Sequence, residues 1–235
     1  MESGKAVAAK SYPDCQSWTD AYIRARRDID SRKIPSVDKR ILQEKRRILN
    51  RTKLVEIASI KHSGQMVLAV LLGALCGLCT KEVTSLRYEH IDFEARLIRV
   101  QNTKNPRCIP VPDEVMKRIL AARDAKVSSR YVIFNSASAE KRCDPITIYR
   151  GLDRILKCIK CDDNLQVHFS WLHYTLINIL IDNSVSSKTI DSICGCQNTE
   201  IPEMDGGTTD ALEQVRRITN KTLDYIVTQP ACHFY

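Results

Sequence analysis

Apolar positions return along this chain in three different rhythms. From Val37 the spacing Val37, Ile41, Ile48, Val55, with Leu42 and Leu49 alongside, marks one stripe of an amphipathic helix. The opposite face of that helix is dense with charge: Lys39, Arg40, Lys45, Arg46, Arg47, Arg51 and Lys53 against Asp38 and Glu44. Met66 to Leu78 is a run of 13 residues without a polar side chain other than thiol. It falls short of the roughly 20 residues that a membrane span needs and reads as a buried helix ending near Gly77. A short helix follows from Thr80 to about Leu86. The period then changes. Leu97–Val100 and Cys108–Val111 are β-prone runs around the turn residues Asn102 to Pro106, which predicts a hairpin or small sheet. Pro112 opens an amphipathic helix through Val115, Ile119 and Leu120. Tyr131 to Asn135 reads as one more strand. Helices resume at Pro145 to about Ile159, His168 to Ile181 and Ser187 to Cys194. A last helix is expected from Asp210, with Glu213 completing a capping box, and stops before Pro230. The pattern predicts an α+β, mostly α-helical domain with a small antiparallel β-sheet in its first half.

Ahead of it, residues 1–34 read as an N-terminal arm or remnant helix around "SWTDAYIRARRDIDSRK", and Ile34-Pro35-Ser36 as a linker. Residues 35–235 then form one domain, and 235 residues with 43% apolar composition suffice for a sizeable core. The start, "MESGKAVAAK", lacks the apolar segment of a secretory signal, so an intracellular protein without a membrane partner is expected, nuclear or nucleoid-associated settings included.

Charge and cysteine content narrow the chemistry. The formal net charge of +8 favours polyanionic partners, of which nucleic acid is the commonest. Ten cysteines include two CxxC pairs, Cys76/Cys79 and Cys158/Cys161. The pairs lie 79 positions apart and both fall on expected helices, which is the wrong spacing for the common zinc modules. Buried thiols acting as small hydrophobes explain them better, and no metal or cofactor is expected.

Two blocks carry a family resemblance. "GLCTKEVTSLRYEHIDFEARLIRVQNTKNPRCIPVP" resembles the first block of the tyrosine recombinase catalytic domain, that of the phage integrases, through Gly77, Leu78, Glu82, Leu86, Ile91, Asp92, Phe93 and Lys104. "SWLHYTLINILIDNSVSSKTIDSICGC" resembles the second through Thr175, Leu180, Asn183, Val185, Ile190 and Gly195. The resemblance covers roughly residues 35 to 228. It implies that Cys79 occupies the place of the first catalytic arginine. Ser170 falls on the place of the histidine that opens the second block, His173 on that of its arginine, and Cys196 on that of the later His or Trp. Lys104 keeps the hairpin lysine, and Tyr225 is the retained candidate for the nucleophile.

The reaction that the resemblance implies is attack of a tyrosine oxygen on a DNA phosphorus, forming a 3′-phosphotyrosyl link. Two arginines and a His or Trp steady the phosphate oxygens, and the lysine protonates the departing 5′-oxygen. Guanidinium suits that task because it is always charged and offers a planar fork. A thiol offers one weak donor and no charge. Losing one preorganised donor typically costs roughly 3–4 kcal/mol of transition-state stabilisation, and two are replaced here. The expectation is therefore a DNA-binding protein related to recombination and integration whose phosphoryl-transfer site is degenerate. Its expected partners are the double-stranded DNA backbone and either an active recombinase or a second copy. Lys81, Arg87, Lys104, Arg107, Arg46 and Arg47 are the candidate contacts, although a surface role without DNA also accounts for Arg87 and Arg107. The alternatives are an active recombinase with a rearranged site and a protein-interaction module that does not bind DNA. Family members usually carry a further helical domain before the catalytic one, and residues 1–34 are too few to form it.

Overall fold

The computed structural model describes residues 48–60, 64–101, 106–125, 129–135, 137–159, 167–195 and 206–224. The arm, the linker, Arg46, Arg47, Lys104, Cys196 and Tyr225 lie outside the described residues.

The fold is organised around one buried helix. α1 (Arg51–Ser59) leads to α2 (Gly64–Leu75), and every residue from Val67 to Leu78 is buried. An all-round apolar helix can be satisfied only by neighbours on every side. α2 has them: α4 (Asp113–Asp124), α5 (Pro145–Cys158) and α6 (Leu172–Asp182) all pack on it. A Cβ on Gly73 would sit 2.9 Å from Leu172 Cδ1, so glycine sets the close approach of α2 and α6.

The chain leaves α2 through Gly77 at φ +66°, a left-handed conformation that glycine adopts without strain. The turn delivers Cys79 as the N-cap of α3 (Thr80–Ser85). Three strands follow, β1 (Ile91–Asp92), β2 (Leu97–Val100) and β3 (Arg107–Pro110), in an antiparallel sheet of order β1-β2-β3. Ile98 pairs with Ile91 and Ile109, which aligns three apolar side chains on the core. β4 (Phe134–Asn135) and β5 (Ser138–Arg142) make a separate two-stranded ribbon. α7 (Ser187–Cys194) is capped by Ser186 at its start and by Gly195 at φ +73° at its end. α8 (Gly206–Leu223) lies across α1, α6 and β3.

Most expected elements are present within a residue or two, and three differ. The charged helix expected to run through Val55 does not pass through residues 48–50. Asn50 is extended there and its side chain accepts from the Lys53 N–H, so α1 starts afresh at Arg51. The last helix begins at Gly206, which places Asp210 and Glu213 inside it; Glu213 pairs instead with Arg216 one turn on. Tyr131 makes only a single bridge, to Arg87, and the strand proper begins at Phe134.

Candidate functional site

The site assembles where α3, β3, α6 and α7 meet. Its centre is an ion pair between residues 25 positions apart. Arg107 Nη1 lies 2.8 Å from Glu82 Oε1, and Nη2 lies 3.0 Å from Oε2, a bidentate fork. Arg107 Nε donates to the Ile193 carbonyl at 2.8 Å, at the last turn of α7. Glu82 Oε2 also accepts from the Cys79 N–H at 2.8 Å, which closes the N-terminus of α3. One carboxylate thus ties the helix start to the sheet, and one guanidinium ties the sheet to α7.

Burial sharpens this pair. Only 6% of the Arg107 side chain and 14% of the Glu82 side chain are exposed. Burial by itself would raise the Glu82 carboxyl, but hydrogen bonds and charge from Arg107 outweigh it and hold the group below the usual range. Arg107 is not the surface arginine that was considered for it. Its guanidinium is directed inward and bonded to Glu82 and the Ile193 carbonyl.

Of the positions singled out by resemblance, Cys79 and His173 lie against this pair, and Ser170 reaches it through His173. Cys79 stands at the mouth. Partial burial of its sulfur pushes the thiol up to about 11, and the Glu82 carboxylate adds to the shift, so it is a neutral thiol at pH 7. His173, in the first turn of α6, is pushed down to about 4. Burial is the main cause, and the Arg107 charge adds to it against an opposing hydrogen bond with the Ser170 backbone. Its ring lies against that of Tyr174, centroids 4.0 Å apart and planes tilted by 37°, and it is a neutral imidazole at pH 7. Ser170 is exposed in the 3-10 turn Phe169–Trp171 just before α6. Cys194 lies close enough to Arg107 for its charge to be felt there.

Two features of the mouth were not foreseen from sequence. Tyr149, on the second turn of α5, places its hydroxyl 3.4 Å from Thr80 Oγ1, next to Cys79. Ile146, one turn earlier, is 57% exposed and Tyr149 43%, which is unusual for such side chains. Lys81 on α3, Lys141 and Arg142 on β5 and Arg150 on α5 are also exposed. The buried stripe of α5 runs through Ile148, Leu152 and Ile155, and leaves Ile146 and Tyr149 off it. Among the described residues no group of three or more His, Cys, Asp or Glu side chains could hold a metal ion. No helix among them is long and apolar enough to cross a membrane.

Comparison with known proteins agrees with this architecture. No curated protein matches the sequence. Among solved structures, the XerA recombinase superposes with a TM-score of 0.54 at 19% identity, over 77% of this chain and 64% of that one. The integrase of mycobacterium phage Brujita gives 0.56 at 12% identity, over 79% and 61%. The integrase of the Tn1549 transposon, in a complex with circular intermediate DNA, gives 0.53 at 14% identity, over 84% and 83%. The chain thus spans less than two thirds of the first two structures. The family model described as phage integrase family matches residues 43–203, a stretch that takes in Cys79, Lys104, Ser170, His173 and Cys196 and stops short of Tyr225. On that match, carried over the α2–α7 core and the sheet that builds the site, this chain belongs to the phage integrase family.

Proposed function

We propose that this protein grips duplex DNA with an integrase-type fold and does not cut it. The observation that carries the reading is the state of the groups around Glu82. Phosphoryl transfer of the kind the family resemblance implies needs positive donors aimed at phosphate oxygens. Cys79 and His173 are both neutral at pH 7. The guanidinium between them, Arg107, is held by Glu82 and the Ile193 carbonyl. A pocket so arranged has structural strength and little charge to offer a transition state.

The rim supports binding. Lys81, next to Thr80, and Arg150, next to Tyr149, are exposed, as are Lys141 and Arg142 of β5 and the apolar Ile146 and Tyr149. Cations of this kind contact backbone phosphates, while exposed apolar groups can meet base edges in a groove. Lys104, Arg46 and Arg47 extend the candidate set on sequence grounds. The partner is double-stranded DNA, alone or together with an active recombinase or a second copy of the chain.

The test is a duplex titration at two salt concentrations, with the products then resolved under protein-denaturing conditions. Retention that weakens steeply with salt, and leaves no adduct after denaturation, is expected. An adduct that disappears in Tyr225→Phe overturns the reading in favour of an active recombinase. Absence of binding at both salts leaves an interaction module without DNA.

A further inference from the structure

A second cationic surface lies at the other end of α3 from Cys79. Arg87 and Tyr131 form an antiparallel bridge, flanked by hydrogen bonds from the Tyr88 N–H to the Arg130 carbonyl at 3.2 Å and from the Val132 N–H to the Leu86 carbonyl at 3.0 Å. This pairing brings two guanidiniums to one ring. Arg87 Cζ is 5.5 Å, and Arg130 Cζ 5.2 Å, from the Tyr131 centroid. Nearby, Arg123 lies 4.5 Å over Phe93 and its charge reaches Tyr88. Two carboxylates face these three arginines. Glu89 lies 2.9 Å from Arg87 Nη1, and Asp124 lies 3.5 Å from Arg123 Nε. The Glu89 carboxyl is held low first by its bond to Arg87, with the charges of Arg87, His90 and Arg130 contributing.

The chemistry of this patch selects among partners. Tyr131 is 9% exposed, so the stack offers little apolar area to a folded protein. Stacking holds the guanidinium planes in place, which lowers the ordering cost of a new contact. Their N–H edges match the oxygens of a phosphate. Glu89 is highly exposed and can turn away from Arg87 into water. A polyanion with regularly spaced phosphates fits; an apolar partner does not.

We propose that Arg87 and Arg130, held on the Tyr131 ring, form a second phosphate contact on duplex DNA, separate from the Cys79–Arg107 site. The proposal rests on the DNA-gripping reading above. The six residues of α3 and Leu86 separate Arg87 from Cys79, so a contact at Arg87 and Arg130 is added to the Cys79–Arg107 site and not shared with it.

The experiment measures affinity of the full chain for a duplex of about 30 base pairs over a range of salt concentrations. Arg130→Gln is expected to lower the slope of log K against log salt by about 0.9, and Arg87→Gln with Arg130→Gln by about 1.8. Glu89→Gln should tighten binding, because it removes the competing carboxylate. Arg130 and Glu89 are exposed and Arg87 is half-buried, and an unchanged urea midpoint verifies folding. Wild-type slopes in both arginine variants, or a Glu89→Gln protein that binds no tighter, overturn the proposal and leave the DNA-gripping reading standing. A wild-type chain that binds no DNA at either extreme of salt overturns both.

Discussion

Replacing Glu82 by Gln tests the central pair most directly. The substitution keeps the shape and one carbonyl acceptor but removes the charge that the Arg107 fork reads. Exposed ion pairs are worth about 0–1 kcal/mol, and that figure does not apply here, because both side chains are more than four-fifths buried. Stripping one partner from a buried pair costs about 3–5 kcal/mol, since the survivor is left charged and underbonded. Gln retains part of the hydrogen bonding, so Glu82→Gln is expected near the lower end. Arg107→Met falls higher, as it also removes the bond to the Ile193 carbonyl that ties β3 to α7. A domain of this kind is stable by roughly 5–15 kcal/mol in all, so either loss is a large fraction. Urea denaturation monitored by circular dichroism measures it, with the midpoint falling and the m-value unchanged. The double variant Glu82→Gln with Arg107→Met should lose clearly less than the sum of the singles, a coupling above about 1 kcal/mol. Losses under about 1 kcal/mol in each single variant, adding without coupling, would refute the buried-pair argument.

Three further outcomes are expected. Stability should fall as pH drops from 6.5 towards 4. The unfolded chain protonates His173 in that range while the folded chain, with its imidazole pushed down to about 4, does not, at a cost of roughly 3 kcal/mol; Glu82, whose folded value is depressed, adds a loss that begins as pH falls through about 5 and continues below. Urea midpoints at pH 7.5 and pH 5, where about 2 kcal/mol of this loss is already expressed, measure it, and His173→Gln should flatten the dependence. Cys79, though at the surface, should alkylate slowly at pH 8 and accelerate as pH rises towards 11; rapid labelling at pH 7, mapped by mass spectrometry, would mean a stabilised thiolate. Gly73→Ala should cost about 1–3 kcal/mol, because its Cβ would overlap Leu172 Cδ1; an unchanged melting temperature would mean that α2 and α6 separate freely.

Local chemistry in the sequence determined much of this molecule. The 13-residue apolar run could be nothing but a buried helix, and α2 is one, because no amphipathic alternative exists for it. The β-prone runs on either side of Asn102 to Pro106 did pair as β2 and β3. Ser186 and Gly195 delimit α7 as their capping preferences require. The family blocks were legible too, in glycine turns, a carboxylate at the start of α3 and apolar spacing. The boundary at Asn50 failed because its side-chain cap outweighed a spacing signal, and the capping box read at Asp210 lies inside a helix that starts at Gly206. What each charged residue does was decided only by tertiary structure. Arg87 and Arg107 look alike in sequence, yet one stacks on Tyr131 at the surface and the other is buried against Glu82. The apolar pair Ile146 and Tyr149 likewise stands in solvent at the mouth of the site. Helix and strand formation are governed by neighbours a few positions away, which the sequence displays. Burial, pairing and the resulting charge state depend on residues 25 or more positions distant, and those become neighbours only once the chain is packed.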